Sequence, residues 1–213
     1  MWNRFRYTFW APFYDSLVEA VRFEEPRKRS IEPLGLSTGA RLLILGAGTG
    51  LDLPHLPPDI EITAVDATPA MLKRLERRAS GLRMRVNAEV GDARRLRFEN
   101  ESFDAVIMHL VLGVMPQPSK GLAEAVRVLK PGGRIAVFDK FLGDRQRASI
   151  RRRLLNLVMK PLITDMNRRF GPMLAGNGLE VERDEPAAFG GMYRVITLHK
   201  PAVSSEPAHA GPA

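Results

Sequence analysis

Leu-Leu-Ile-Leu-Gly-Ala-Gly-Thr-Gly, residues 42–50, is the stretch that decides the fold of this 213-residue chain. Its apolar residues predict a strand buried on both faces, and the glycines that follow predict a tight turn into a helix. A second strand-like stretch, Ile60 to Val65, ends at Asp66, twenty positions after Gly46. A carboxylate at the rim of a parallel sheet can accept hydrogen bonds from the two hydroxyls of a ribose. The pattern therefore predicts a cofactor that contains a nucleoside.

The spacing of the glycines separates two classes of cofactor. A dinucleotide fingerprint, Gly-x-Gly-x-x-Gly, would need a glycine where this chain has Leu51, which argues against a nicotinamide oxidoreductase. Here the glycines fall at positions 46, 48 and 50. This alternation resembles the first motif of the class I methyltransferases, which use S-adenosylmethionine. The resemblance implies a Rossmann-like α/β fold with a mostly parallel seven-stranded sheet, helices on both faces and an N-terminal helical cap.

Further matches to this family follow in the expected order, from about residue 36 to residue 138. Val86 to Val90 precedes Gly91-Asp92-Ala93, and Phe103 to Met108 resembles the family's fourth strand, ending at His109. Leu129-Lys130-Pro131-Gly132-Gly133 resembles the turn that leads into the fifth strand. In the family an acidic residue at the position of Asp92 faces the adenine amino group. The cofactor-binding residues that the resemblance implies are Gly46, Ala47, Gly48, Thr49, Gly50, Asp66, Ala67, Asp92, Ala93 and His109.

Single residues in this pattern also have plainer interpretations. Asp92 alone could be an ordinary turn or helix-cap residue. Asp104 is expected to be structural, because it opens a strand instead of ending one. His109 is predicted to lie at the carboxyl end of a strand, where ligands sit in such sheets. It is therefore a candidate catalytic residue that takes a proton, or else a residue that only lines the cofactor pocket.

The composition excludes several classes of protein. The absence of cysteine excludes disulfides, thiolate catalysis and Cys-ligated metals, and the four scattered histidines show no metal-site spacing. No apolar run reaches the length of a transmembrane helix, and the start lacks the apolar core of a signal peptide. We therefore expect a cytoplasmic protein with no metal. Residues 36–200 are expected to form one methyltransferase domain, and residues 201–213, rich in Pro, Ala and Ser, a disordered tail.

The positive charge is concentrated in one segment. The formal net charge is +8, and residues 145–169 carry eight basic residues against the single acid Asp165. Leucines and other apolar residues recur there at helical intervals, which predicts a basic helical insertion. It could be a solvated face of a core helix, a contact with an anionic membrane surface, or a contact with nucleic acid.

The N-terminus favours the membrane. Seven of the chain's fifteen aromatic residues, including both tryptophans, fall within residues 1–14, interleaved with Arg4 and Arg6. Rings beside basic residues on a short segment suit the headgroup region of a bilayer. Residues 1–35 are also expected to form a helical cap over the active site. Tyr14 is the candidate catalytic residue of this cap, because an aromatic face can stabilise an amine as it becomes a cation.

Two families of methyltransferases share these features. Phe13-Tyr14-Asp15 and the run Gly48 to Pro54 resemble bacterial phosphatidylethanolamine N-methyltransferases, and ubiquinone and menaquinone C-methyltransferases share the Tyr-Asp start. The residues after the fourth strand are apolar and lack the motif typical of base amino methyltransferases, so nucleic acid is the less favoured partner. The expected acceptor is a phospholipid amine at the inner face of the membrane. A quinone precursor, an RNA and a domain that binds the cofactor without catalysis remain the alternatives.

Overall fold

The computed structural model describes residues 23–142 and 168–202, which form one sheet with helices on both faces. The strands are β1 (Arg41–Leu45), β2 (Glu61–Asp66), β3 (Val86–Val90), β4 (Phe103–His109), β5 (Leu129–Lys140), β6 (Glu180–Ala188) and β7 (Tyr193–His199). They lie in the order β3-β2-β1-β4-β5-β7-β6, and the first five in that order pair in parallel. The sheet confirms the predicted fold class.

Four α-helices and three short 3-10 helices (Glu32–Leu34, Leu53–His55 and Phe189–Gly191) accompany the sheet in the described parts of the chain. The α-helices are α1 (Glu24–Ile31), α2 (Pro69–Gly81), α3 (Pro118–Val128) and the single-turn α4 (Gly171–Leu174). Helices α2 and α3 each begin with a proline, whose fixed φ suits the first turn and whose missing N–H would have no partner there. None of the described helices is long and apolar enough to cross a bilayer.

Both faces of the central strands are covered, which is why they read as apolar runs. Along β4 successive residues alternate between two clusters: Val106 packs with residues of α3, and Ile107 packs with residues of α2. Both residues are completely buried. This packing fixes the register of the parallel strands and brings their carboxyl ends to one edge of the sheet.

The sheet ends on one side in two antiparallel strands. Strand β7 pairs with β5, and β6 forms the outer edge beside β7. The register between them shifts around Arg183 and again around Pro186, so β6 is irregular and largely exposed.

Parts of the predicted domain plan lie outside the described residues. These are residues 1–22 of the predicted cap, residues 143–167, which include most of the basic insertion predicted at 145–169, and residues 203–213 of the tail. The described part of the cap, residues 23–35, contains α1, which packs on β5 and β7. Leu142 and Arg168, which border the undescribed residues 143–167, lie side by side, because the backbone N–H of Leu142 donates to the carbonyl of Arg168 at 2.9 Å.

Candidate active site

The glycine turn after β1 has the conformation that the sequence predicts. Gly46, Gly48 and Gly50 have φ of +68°, +54° and +79°, a region that other residues rarely adopt. A Cβ on Gly46 would overlap the side chain of Val111, whereas a Cβ on Gly48 would meet no atom within 4 Å. The protein therefore leaves no room for a side chain at Gly46, whereas the space beside Gly48 is open.

Asp66, at the end of β2, holds this turn in place. Its Oδ2 accepts a hydrogen bond from the backbone N–H of Gly48 at 2.9 Å, and its Oδ1 accepts one from Thr68 at 2.8 Å. Burial raises the pKa of the Asp66 carboxyl, and the two backbone N–H groups oppose that rise. A carboxylate has about four acceptor directions, so the side chain can accept further hydrogen bonds from a ligand.

A cavity of about 460 Å³ lies at the carboxyl edge of the sheet. Gly46 and Gly48 form one part of its lining, and the other parts are residues 65–68, 90–94 and 109–116. Several predicted cofactor residues line it together: Gly46, Gly48, Asp66, Ala67, Asp92, Ala93 and His109. Ala47, Thr49 and Gly50 belong to the same turn but are buried beneath the lining.

The structure gives Asp92 a strong partner that the sequence did not predict. Arg94 forms a bidentate ion pair with its carboxylate, with Nε–Oδ1 at 2.9 Å and Nη2–Oδ2 at 2.6 Å. The Arg94 backbone N–H also donates to Oδ1, and these bonds lower the pKa of Asp92. Asp92 thus lines the cavity, as a cofactor-binding residue would, and also stabilises a turn, as an ordinary turn residue would.

His109 lies in a buried polar network beneath the cavity. Its Nδ1 donates to Asp52 Oδ1 at 2.7 Å, and its Nε2 lies 2.9 Å from the hydroxyl of Ser30. Arg27 of α1 donates to the same oxygen of Asp52 at 2.5 Å. Burial opposes ionisation of Asp52, but Arg27 and His109 outweigh it and hold the Asp52 pKa well below its usual range. Because both ring nitrogens already have partners, acid–base chemistry at His109 would require one of these contacts to break.

The loop that follows β4, residues 110–116, forms one wall of the cavity and is held by two charged side chains. The fully buried Asp139, at the end of β5, accepts a hydrogen bond from the Gly113 N–H at 2.7 Å. Arg168 donates to the carbonyls of Leu112 and Met115, the latter at 2.9 Å. Burial raises the pKa of Asp139, partly offset by Lys140 and the backbone donors. Two elements outside the loop therefore fix the wall of the cavity.

Four aromatic rings pack together beside this wall. We call Phe23, Phe138, Phe189 and Tyr193 the aromatic platform. Ring centroids lie 5.2 Å apart for Phe23 and Phe138 and 4.7 Å apart for Phe23 and Tyr193. Phe189, at the outside, is 61% exposed. Leu110 packs against this cluster and also lines the cavity, so the two features share a wall.

One predicted residue is outside the described part of the chain, and several residues near the cavity were not predicted from the sequence. Tyr14, the predicted catalytic residue of the cap, lies outside the described residues. Asp104 is structural as expected, since Lys130 Nζ donates to it at 2.6 Å. Asp139 ends an apolar strand as Asp66 does, a signal that could have identified it. Sequence reasoning also missed Arg27, Ser30, Asp52 and Arg168. Among the described residues, no cluster of His, Cys, Asp or Glu could hold a metal ion.

Comparison with known proteins finds methyltransferases that resemble this chain. Residues 43–137 match the methyltransferase domain family. A phosphatidylethanolamine N-methyltransferase from Cereibacter sphaeroides is 28% identical over 196 residues, covering 91% of this chain and 95% of that protein. A demethylmenaquinone methyltransferase from Renibacterium salmoninarum is 34% identical over 133 residues, covering 61% of this chain and 54% of that protein. The chain therefore spans only about half the length of this quinone-modifying relative.

Solved structures show the same fold. A geranyl diphosphate C-methyltransferase from Streptomyces coelicolor, in complex with S-adenosylhomocysteine, superposes with a TM-score of 0.67 at 15% identity. The superposition covers 83% of this chain and 78% of the other. The domain match and the named methyltransferase relatives confirm the methyltransferase class and the S-adenosylmethionine cofactor that the sequence predicts.

Proposed function

We propose that this S-adenosylmethionine-dependent methyltransferase acts on a lipophilic, membrane-associated acceptor, and that the acceptor is the head-group amine of phosphatidylethanolamine. The observation that carries the proposal is the shared wall at Leu110, which places the aromatic platform directly beside the cavity. An acceptor that approaches the cavity from this side touches aromatic and apolar side chains. Such a surface favours a lipophilic acceptor over a nucleic acid base or a free sugar.

The extent of sequence similarity favours the phospholipid over the quinone. The phosphatidylethanolamine N-methyltransferase aligns over 91% of this chain, well beyond the 43–137 domain. The demethylmenaquinone methyltransferase aligns over only 61% of it. Function lies in the sites that a fold carries, so similarity outside the domain with the cofactor turn bears more on the acceptor than similarity in that turn.

The cavity residues fit the cofactor. Asp66 has acceptor directions left for the two ribose hydroxyls, and Gly48 leaves open the space that a side chain would fill. Asp92 and the apolar Met71 and Val90 line the region proposed for adenine. Ala67 and Ala93 line the same cavity, whereas Ala47, Thr49 and Gly50 shape the turn beneath it. When bound, S-adenosylmethionine supplies a methyl group on a positively charged sulfur.

The chain's own contribution to the reaction is alignment and the exclusion of water. The acceptor nitrogen has to be the neutral amine to take up the methyl group, so the proton of its ammonium form leaves to solvent before the transfer. As the nitrogen becomes positive, the face of an aromatic ring can stabilise it. Tyr14, which is outside the described residues, remains proposed for this role. We propose that His109 chiefly holds the end of β4, since Asp52 and Ser30 occupy its ring nitrogens.

The proposed location is the inner face of the membrane, without insertion across it. The aromatic residues of the N-terminus would bury rings at the interface, and the basic segment 145–169 would contact anionic lipid. Each Lys or Arg near such a surface contributes about 1 kcal/mol, screened by salt. Neutralising Arg151, Arg152 and Arg153 should therefore reduce sedimentation with anionic vesicles, while the affinity for the cofactor is unchanged.

A quinone precursor is the second candidate acceptor. It is favoured by the number of demethylmenaquinone methyltransferases that resemble this chain, up to 40% identical over 112 residues. The same aromatic platform would accept a flat, apolar ring by stacking.

The deciding experiment offers labelled S-adenosylmethionine with three acceptors in parallel. These are vesicles containing phosphatidylethanolamine, vesicles containing a demethylated quinol, and structured RNA. Label recovered in mono- or dimethylated phosphatidylethanolamine supports the proposal. Label in the quinol alone would transfer the function to the second candidate, and label in the RNA alone would overturn the lipophilic acceptor altogether.

A further inference from the structure

Lys140 is a positive charge at the outer side of the aromatic platform. It ends β5, and its Nζ lies 5.5 Å from the centroid of the Tyr193 ring, a cation–π distance. Within residues 23–142 and 168–202 the Nζ of Lys140 makes no ion pair or hydrogen bond. A lysine with this environment can take up an anionic ligand without giving up a bonded partner.

The neighbouring charged groups are already engaged. Asp139 is the adjacent acid, but it lies buried and accepts hydrogen bonds from the backbone N–H groups of Gly113 and Lys140. Arg194 pairs with Asp184 at 2.7 Å, and Arg168 donates to loop carbonyls. Lys140 is therefore available to a ligand, whereas Arg194 and Arg168 already have partners.

The contacts along the sheet edge set an order from the cavity outward. The Leu110 N–H donates to the carbonyl of Phe138 at 2.7 Å, and the Phe138 ring lies 5.8 Å from Tyr193, over which Lys140 sits. An acceptor amine that carries a positive charge is repelled by Lys140 and therefore belongs at the Leu110 end. An anionic group of the same molecule belongs at the Lys140 end.

We propose that Lys140 binds the phosphodiester of the acceptor and thereby selects amines that carry a phosphate ester. This inference rests on the proposed function, since the same molecule must place its amine at the cavity. In phosphatidylethanolamine only two carbons separate the amine nitrogen from the phosphate oxygen, so one head group carries both charges that the edge distinguishes. A long-chain amine without a phosphate would lack the contact with Lys140.

The test compares Lys140→Ala and Lys140→Arg with the wild type in a labelled-methyl assay. Phosphatidylethanolamine is presented in vesicles of zwitterionic phosphatidylcholine, so that attraction to an anionic surface does not contribute. Lys140→Ala should raise the KM for phosphatidylethanolamine about tenfold or more, with kcat and cofactor affinity within twofold of the wild type. Lys140→Arg should restore most of the loss, because it retains the charge.

Two controls separate specificity from general effects. Lys130→Ala removes another surface lysine, one that pairs with Asp104 at the far end of β5, and should leave the KM unchanged. A long-chain primary amine without phosphate should be methylated equally by the wild type and by Lys140→Ala. An unchanged KM for phosphatidylethanolamine in Lys140→Ala would overturn the inference while leaving the proposed function intact.

A binding measurement keeps the inference testable if phosphatidylethanolamine is not methylated. Calorimetry with glycerophosphoethanolamine, in the presence of S-adenosylhomocysteine, should show binding to the wild type and to Lys130→Ala but not to Lys140→Ala. Absence of methyl transfer with this pattern of binding would contradict the proposed reaction alone. Equal binding to all three proteins, or to none, would contradict the role of Lys140.

Discussion

Asp52 and His109, 57 positions apart in the chain, share a buried hydrogen bond of 2.7 Å. Asp52 follows the glycine turn and His109 ends β4, so this bond joins two segments that surround the cavity. Arg27 adds helix α1 to the same oxygen of Asp52 at 2.5 Å. The side chains of Asp52 and Arg27 are 5% and 7% exposed, which leaves little water to replace either partner.

Asp52→Asn should therefore destabilise the protein strongly. The amide keeps the size of the side chain but leaves the Arg27 charge buried without a counter-charge, and such a loss typically costs about 3–5 kcal/mol. Chemical denaturation measures the free energy of unfolding. Asp104→Asn is the matched control, because its partner Lys130 is substantially exposed, and its loss should stay below about 1 kcal/mol. Equal losses in the two variants would show that the buried network adds no special stability.

Acid should expose the same network through the dependence of stability on pH. The Asp52 pKa in the folded protein lies below its unfolded value, so the unfolded state binds more protons in the interval between them. The stability contributed by Asp52 is fully present above the unfolded pKa of about 3.9 and decreases as the pH falls below it. Unfolding at a series of pH values should show a shallower acid slope for Asp52→Asn than for the wild type. Parallel curves would remove Asp52 as a source of acid sensitivity.

Asp66→Ala should weaken cofactor binding by about tenfold or more. The variant removes a carboxylate whose hydrogen bonds to ribose hydroxyls would typically contribute about 1.5–3 kcal/mol each. Calorimetric titration with S-adenosylhomocysteine gives the Kd directly. Asp184→Ala, on the outer strand β6 and away from the cavity lining, serves as the control and should bind normally. A normal Kd for Asp66→Ala would exclude the residue from the cofactor site.

Gly48→Ala tests the open side of the glycine turn. A residue with a Cβ at φ +54° is strained by about 1–2 kcal/mol, so a loss of stability alone would not be informative. Gly35 supplies the control, because its φ is +59° and a Cβ there also meets no atom within 4 Å. Both variants should lose similar stability, but only Gly48→Ala should lose cofactor affinity. If the two bind equally well, the space beside Gly48 is not the path of the ligand.

Arg168→Ala tests the support of the loop after β4. Losing the guanidinium removes the donors to the carbonyls of Leu112 and Met115, and an unsatisfied buried carbonyl typically costs about 1–3 kcal/mol. We expect lower stability together with a raised Kd for S-adenosylhomocysteine. Arg127→Ala is matched, since Arg127 likewise donates to loop carbonyls but away from the cavity lining. A raised Kd in both variants would mean that general loosening, and not the loop, controls affinity.

The positions at the ends of the strands were predictable because their signals are local. The apolar run and alternating glycines place the turn at Gly46 to Gly50, and the second strand then delivers Asp66 to its side. The partners of His109 were not predictable in this way. Ser30 and Asp52 lie 79 and 57 positions from it. The packing of α1 against the sheet brings Ser30 to it, and the pairing of β1 with β4 brings the turn that leads to Asp52. Arg94 was missed for another reason. A basic residue two positions after Asp92 can form a bidentate ion pair with it or point into solvent, and the sequence does not distinguish the two.

The exposed edge of the outer strand β6 affects how readily copies of this protein aggregate. An exposed strand edge can pair with the edge of another chain, but Pro186 lacks the N–H that such pairing needs. Register shifts around Arg183 and Pro186 also bend the strand away from a flat edge, and charged side chains cover much of it. At high protein concentration, this side of the sheet should therefore resist the strand-to-strand growth that leads to fibrils.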